Sequence, residues 1–527
     1  MTAVLDYHQI TKHSFHRFAR SLGYLDWAAQ PDPFRRYDGA PRIDLPRSAL
    51  RPDVAYSTLF TGSPVPVAMD VSAVGELLRC AMGLSAWKRY QASRWALRVN
   101  PSSGNLHPTE CYVIWNGRVC HYAPREHALE VRCTLEGNQP AIRGRDGRGS
   151  GDVMLVGLTS ILWREAWKYG ERAFRYCQHD VGHAIGALRL AASLIGWRLA
   201  VVECADDDLD ALLGTGRDED YGDAEREEPE CLLALTRTSS MVAVDIEGSV
   251  EAARRGTWSG TANILSRSHT EWPVIDQVAK ATRKHVGLPQ ASRPPAAREP
   301  EPDVPEPSVS ARTVMLQRRS ALGFDAQSSL SAQRFLAMLR RLIPGAPPWD
   351  AIDWPPHVHL ALFVHRVDGL LPGLYLFLRD PAALDELRAA MRPEFLWERV
   401  NASNELFLLV PADVRFTANR LSCDQDIAAD GFFSLGMIAR LEPALRERGD
   451  WFYRRLFWEC GLIGQVLYLE AEAAGARATG IGCFFDDPVH EMLGLAGLSW
   501  QSLYHFSMGV PVDDGRLTSE PGYAGGW

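Results

Sequence analysis

Two stretches of this chain, 279 residues apart, carry the same pattern. FRYCQHDVGHAIGALRLAASLIGWRLAVVECADD runs from Phe174 to Asp207, and YRRLFWECGLIGQVLYLEAEAAGARATGIGCFFDD runs from Tyr453 to Asp487. At that offset Gly182 falls on Gly461, Gly196 on Gly475, Cys204 on Cys483 and Asp207 on Asp486. Each stretch reads as an apolar helix ended by a glycine C-cap and followed by a short buried strand. Four matches in register, in one element order, point to duplication of a large unit, and the period is far too long for a solenoid.

The rest of the chain supports two units. At 527 residues it exceeds one ordinary domain. Pro289 to Ser308, PQASRPPAAREPEPDVPEPS, holds seven prolines and almost nothing large to bury, so it reads as a stiff tether. The expected division is residues 1–288, a linker over 289–309, and residues 310–527. Val71 to Met82 and Ser331 to Leu342 have helical spacing. Cys111 to Trp115 and His359 to Val364 read as short strands, each followed by a turn and a second strand. Both halves therefore suggest an α+β unit with helices packed on a small sheet.

Composition narrows the classes. With 46% hydrophobic and 23% charged residues the chain is a soluble globular protein, and a net charge of -9 argues against a general nucleic-acid binder. No stretch approaches the roughly 18 apolar residues of a spanning helix, so no membrane partner is expected. The N-terminus has no apolar signal region, and the ten cysteines lie singly without CxxC pairs. A reducing cytoplasm is the expected location.

Three segments carry candidate chemistry. RRSALGF (Arg318 to Phe324) offers two guanidiniums and a hydroxyl that suit a phosphate, or else forms a solvated basic cap. TGIGCFF (Thr479 to Phe485) places two glycines where backbone approaches a flat ligand, or else makes a tight connection. NPSSGN (Asn100 to Asn105) is a ligand cradle or a β-turn. His179-Asp180-x-x-His183 shares one helix face, as metal ligands do, but no third ligand is evident. The expected reading there is a helix at the domain interface with internally paired polar groups, and no metal.

Taken together, RRS near a domain start, PSSG before the first strand and a GIG turn before a buried strand resemble the flavin site of the nitroreductase superfamily. PSSGNLHPTECYV, HYAPREHALE, WKYGERAFRYCQHDVGHAIGAL and the closing QSLYHFSMGVPVDD are similar to its azoline-dehydrogenase (SagB-type) branch. The resemblance covers most of both halves outside the linker. It implies FMN bound between two similar subunits, the RRS-type residues on one and the PSS-type loop on the other. Here Arg318, Arg319 and Ser320 lie only in the second half, and Pro101, Ser102, Ser103 and Gly104 only in the first. Gly480, Ile481 and Gly482 belong again to the second, and Arg516 resembles the C-terminal basic residue that helps hold the phosphate.

The counterparts look degraded: FTGSPVP (Phe60 to Pro66) stands for RRS, AVVE (Ala200 to Glu203) for TGIG and DWPPHVH (Asp353 to His359) for PSSGN. The halves are thus expected to pair as an intramolecular pseudo-dimer of two tandem nitroreductase-like domains with one FMN site. The branch resemblance supplies a Lys-Tyr pair as base, which matches Lys168 and Tyr169; desolvation would bring a lysine towards that role. The expected activity is FMN-dependent dehydrogenation of a small-molecule or peptide-derived, azoline-like substrate. A nitro- or quinone-reductase drawing on NAD(P)H is the alternative, and a degenerate flavin-binding scaffold of a biosynthetic complex the third reading. One chain supplies both sides of the interface, so a monomer or a homo-oligomer is compatible with it.

Overall fold

The two long helices of the repeat are present, at Ala173–Leu194 and Phe452–Ala473, and they cross at their paired glycines. This computed structural model describes residues 2–61, 64–136, 142–144, 153–237, 242–286, 308–400 and 405–524. The proline-rich stretch expected to act as a tether lies outside the described residues up to position 307.

From the N-terminus the chain forms α1 (Ala3–Ile10), β1 (Arg42–Asp44), α2 (Val71–Ala81), β2 (Leu84–Tyr90) and β3 (Ser93–Arg98). Then come β4 (Thr109–Trp115), β5 (Arg118–Ala123), β6 (Ala128–Thr134), β7 (Val153–Ser160), α3 (Leu162–Tyr169) and α4 (Ala173–Leu194). β8 (Arg198–Val202), α5 (Asp206–Leu213), β9 (Glu228–Thr236) and β10 (Thr257–Trp258) follow. The second half opens with α6 (Ala311–Gln317), α7 (Ala332–Arg340), β11 (Val358–Val364), β12 (Gly373–Phe377), β13 (Glu398–Arg399) and β14 (Leu406–Pro411). It continues through β15 (Phe433–Arg440), α8 (Phe452–Ala473), β16 (Arg477–Ile481), α9 (Asp486–Leu493), β17 (Trp500–Gly509) and β18 (Thr518–Pro521). Both helices expected ahead of the strands start where sequence supplies a cap: Asp70 accepts from the Ala73 N–H, and Ser331 from the Arg334 N–H.

The two large sheets repeat one antiparallel topology. The first runs β8-β9-β7-β4-β5-β6-β10 with β1 added beside β6, and the second runs β16-β17-β15-β11-β12-β14-β13. The strands after the glycine C-caps, β8 and β16, are edge strands and only half-buried, not the fully buried strands their apolar look suggested. Gly196 and Gly475 do close the helices, with φ of 78° and 71° that other residues rarely adopt.

Helices α4 and α8 form the seam between the halves. A Cβ at Gly182 would stand 2.2 Å from the Trp458 carbonyl oxygen, and one at Gly461 would stand 2.3 Å from that of His179. Since 179 and 458 differ by the same 279 residues, the contact is two-fold symmetric. All of α4 is buried, so its charged residues need partners. Arg175 Nη1 donates to Asp486 Oδ1 at 2.9 Å, and its equivalent Arg454 pairs with Asp206 at 3.3 Å. Asp206 therefore stands where Asp207 was expected: β8 reaches α5 through three residues, whereas β16 reaches α9 through four.

The halves also exchange their ends, which a division at the linker does not anticipate. α1 lies on the second half, where His8 bridges the Tyr453 hydroxyl and Gln501 at 3.1 Å each and Lys12 pairs with Asp487 at 2.9 Å. In return β18 joins β2 and β3 of the first half. Gly461→Val should lower the thermal midpoint by several degrees, an overpacking cost of about 3 kcal/mol, in a melt followed by circular dichroism. An unchanged midpoint would show that the helices can separate without loss.

Candidate active site

A cavity of about 700 Å³ opens at one end of the helix seam, walled by both halves. Its first wall is the NPSSGN loop, which is a turn and a wall at once. Ser103 to Asn105 make a single 3-10 turn, and Gly104, Asn105 and His107 all hold positive φ, of 59°, 59° and 54°. The Ser102 hydroxyl fixes the exit by accepting the His107 N–H at 2.8 Å. Ser103 is anchored from below: its N–H and hydroxyl both donate to Asp180 Oδ1, at 3.0 and 3.2 Å. Pro101, Ser102, Ser103 and Gly104 all line the space.

Lys168 and Tyr169, at the end of α3, meet this loop. A Cβ at Gly104, where φ is 59°, would lie 2.6 Å from the Tyr169 hydroxyl and 3.1 Å from Lys168 Nζ, so a side chain there would displace both groups. Tyr169 lines the cavity, whereas Lys168 sits behind Gly104 with its ammonium 5.2 Å from the Tyr169 ring centre. Burial pushes the Tyr169 hydroxyl well above its ordinary value, with nearby Glu165 adding to it.

The far end is cationic. Arg318 caps α6 and donates to the carbonyls of Val99 and Arg98 at 3.1 and 3.2 Å, while its Nη1 is buried with no partner. Arg319 donates to the Ser85 carbonyl at 3.1 Å and the Leu316 carbonyl at 3.0 Å, and burial, then the Arg318 charge, lowers it to about 10. Ser320 shares a 3.0 Å hydrogen bond with the Tyr468 hydroxyl. Lys88 and Arg477 also line the cavity, neither of them singled out by the sequence, with Arg477 Nη1 paired to Asp513 at 2.7 Å. Arg516 does not reach it. Its guanidinium is exposed and held by Asp514 at 2.7 and 2.8 Å, a local pair in which the neighbouring carboxylate has captured the charge.

Gly480, Ile481 and Gly482 also line the cavity, but Gly480 and Ile481 belong to β16 rather than to a turn. Their expected role, backbone amides offered to a flat ligand, is partly taken by the protein itself. The Gly480 N–H donates to the Tyr468 hydroxyl at 2.9 Å, and the Gly482 carbonyl accepts from Arg172 at 3.2 Å. The glycines are required because tyrosines press on them: a Cβ at Gly480 would fall on the Tyr504 hydroxyl, and one at Gly482 would stand 2.3 Å from the Tyr176 ring.

One face of α4 supplies the floor: Tyr176, Asp180 and His183. Burial raises the Asp180 carboxyl to about 7, against hydrogen bonds from Ser102 and Ser103 that favour its charge. His183 bonds the Tyr504 hydroxyl at 3.2 Å and is held neutral, its value brought down to about 3 by burial and then by Arg318. His179 faces away and stacks on Tyr504 at 4.0 Å. No metal-binding group of side chains occurs among the described residues, and the HDxxH run divides: His179 is stacked at the interface rather than internally paired as expected, whereas Asp180 and His183 line the cavity.

Residues 375–510 match the nitroreductase family. The chain carries a nitroreductase-family domain. A structure from Anabaena variabilis, of a protein classed as a nitroreductase, matches over 97% of this chain and 100% of its own, at a TM-score of 0.68 and 19% identity, which establishes the shared fold. A nitroreductase-class protein of Ralstonia eutropha matches 41% of this chain and 89% of its own (TM-score 0.29, 19% identity). The Escherichia coli microcin synthetase complex with bound truncated pro-MccB17 matches 37% and 70% (TM-score 0.29, 18% identity). No curated protein matches the sequence.

At the opposite end of the seam, the place equivalent to the cavity is filled. Among the described residues the space there is about 20 Å³. Glu203 stands at the Gly482 position and Arg455 at the Tyr176 position, and the two pair at 2.7 Å. Lys284 also pairs with Glu203, and Trp354 and Trp451 cover the Arg455 guanidinium, each 4.8 Å away. Of the two ends of the seam, one is thus open and the other filled.

Tyr176 and Tyr504 were missed as site residues, and Asp180 and His183 were assigned to the interface, because helical and strand periodicity reports burial but not which buried face meets a cavity. Asp180 yields a pH prediction. A carboxyl whose folded value exceeds its unfolded one costs stability as pH rises from the ordinary carboxylate range to about 7. Asp180→Asn should therefore gain on the parent between pH 4 and 7 and hold a constant lead above that, in denaturant melts across this range. A difference independent of pH would contradict the buried titration.

Proposed function

We propose that this protein is an FMN-dependent oxidoreductase with one cofactor site, shared by its halves, that dehydrogenates a small-molecule or peptide-derived, azoline-like substrate. The observation that carries this reading is the cavity itself. Its residues fit a flavin phosphate ester: Arg318 keeps a buried donor without a partner beside Arg319, Lys88 and Arg477, and aromatic rings and small residues wall the other end. The volume lies within the roughly 300–1,000 Å³ of small-molecule sites. Arg318, Arg319 and Ser320 would hold the phosphate, with Lys88 and Arg477 added to the expected set and Arg516 withdrawn from it. Pro101 to Gly104 and Gly480 to Gly482 would flank the ring system. Bound there, the flavin supplies acceptance and return of an electron pair.

The chain's own residues supply position and proton handling. The tyrosines and the PSSG loop wall the end of the cavity away from the arginines. Removing hydrogen from a carbon beside nitrogen requires a base at the same face, and Lys168 with Tyr169 is the proposed pair. Tyr169 reaches the cavity and presents its hydroxyl, while Lys168, behind Gly104, sets the charge next to that hydroxyl. Asp180 holds the Ser103 side of the loop and so fixes the distance between this pair and the ring site.

Purified protein should release about one FMN per chain, measured by absorbance after denaturation, and a ratio of two would overturn the single-site reading. Arg318→Ala should weaken FMN binding by about 10- to 100-fold, the worth of a charge-assisted contact. Tyr169→Phe and Lys168→Met should keep FMN while turnover of a thiazoline-containing peptide falls about 100-fold or more. Retained turnover would remove the pair from the mechanism. Rapid bleaching by NADPH with no thiazoline oxidation would favour the reductase instead.

A further inference from the structure

Seven of the ten cysteines are buried, but Cys423 and Cys483 are partly exposed and face each other with their sulfurs 2.8 Å apart. Cys483 follows the end of β16 and lines the large cavity. Cys423 comes from the segment between Leu421 and Gln425, where both it and Asp424 hold a φ of 56°. A left-handed backbone at a cysteine is uncommon and persists only where the surroundings fix it. Here it turns the thiol onto Cys483. The adjoining Gln425 ties the two segments together, donating to the carbonyls of Ser422 and Cys483 at 2.7 and 3.1 Å.

The surroundings of Cys483 favour a thiolate. His13 Nδ1 accepts the Ala19 N–H at 2.9 Å, which leaves the other ring nitrogen to carry the proton, and the ring favours the charged form of Cys483. Arg172, fixed by Asp486 at 2.9 Å and by the Thr11 carbonyl at 2.7 Å, adds positive charge, which Asp486 itself partly offsets. The Cys423 hydrogen bond foremost, opposed by burial and then aided by His13 and Arg172, brings Cys483 down to about 5, while Cys423 is pushed up. Cys204, the counterpart of Cys483 in the first half, is instead raised by burial to about 12. His13 and Arg172 come from the first half and both cysteines from the second, so the arrangement exists only in the assembled pair.

We propose that Cys423 and Cys483 are a redox-active dithiol that exchanges with small-molecule disulfides and closes to an intramolecular disulfide in the cavity wall. The Cys483 thiolate attacks one sulfur of the small disulfide, forming a mixed disulfide and expelling the first thiolate. Cys423 then loses its proton, and its sulfur attacks Cys483 Sγ, forming the Cys423–Cys483 bond and expelling the second. Two protein thiols are oxidised, one small disulfide is reduced to two thiols, and the two cysteine protons end on the leaving sulfurs. Because Cys483 and Gln425 both line the cavity, the bond would join two separate stretches of its wall. None of this depends on the cofactor assigned above.

The test uses the full-length protein as purified, reduced with dithiothreitol, desalted without oxygen and equilibrated with glutathione disulfide. After acid quenching and alkylation, peptide mass spectrometry should find Cys423 linked to Cys483 and two fewer free thiols per chain. Cys423→Ser should accumulate glutathione on Cys483, and Cys483→Ser should leave Cys423 unmodified. At pH 6, iodoacetamide should label Cys483 in the reduced parent at least ~10-fold faster than any other cysteine. That measurement needs no substitution, so it still decides if a variant fails to fold. Absence of the linked peptide, or uniform labelling, would overturn the proposal.

Discussion

The close approach of α4 and α8 at Gly182 and Gly461 decides where everything else goes. With backbone meeting backbone there, the two helices lie nearer than any side chain would permit, and each half's sheet is held at a fixed distance from the other's edge strand. The seam has two ends related by the same symmetry, and at each one the edge strand of one half faces the long helix of the other. A cavity between halves is thus a consequence of the crossing rather than a separate construction. The exchanged ends, α1 in one direction and β18 in the other, close around that seam and make each half depend on its partner.

What distinguishes the two ends is side-chain volume and charge at matched positions. Gly482 with Tyr176 leaves space; Glu203 with Arg455 consumes it and adds a buried ion pair roofed by tryptophan. A buried pair of this kind contributes little net stability against well-packed apolar residues, because desolvation offsets attraction. Its effect is geometric, since neither partner can leave without stranding the other charge. The closed end is therefore locked, while the open end retains polar atoms whose partners are missing.

The repeat, the long helices and the strands were legible because burial imposes periodicity and helix ends need caps, as Asp70, Ser331, Gly196 and Gly475 illustrate. That the PSSG, RRS and GIG segments meet at one cavity could be anticipated only through resemblance, since nothing in their spacing brings residues more than 200 apart together. Finer placement failed where a local competitor acts. Arg516 had the right charge, but Asp514 lies two residues away and captures it. The GIG amides had the right permissiveness, but Tyr468 claims one of them. The one-residue difference in the connection to α9 also hid the equivalence of Asp206 and Asp486.

Partner chemistry separates Arg318 and Arg319 from the other arginines discussed. Arg172 and Arg175 share Asp486, Arg164 meets Glu110 and Arg379 meets Glu459, so each of those cations has a carboxylate partner where it is buried. The hydrogen bonds of Arg318 and Arg319 go to backbone carbonyls, which satisfy N–H groups without cancelling charge. Burial accordingly works against both cations and lowers them. A fold that keeps two such guanidiniums adjacent, and fixes them by their carbonyl contacts, stores unfavourable electrostatic energy at one spot. Glu472 compensates part of that charge, since it acts on both guanidiniums against the effect of burial.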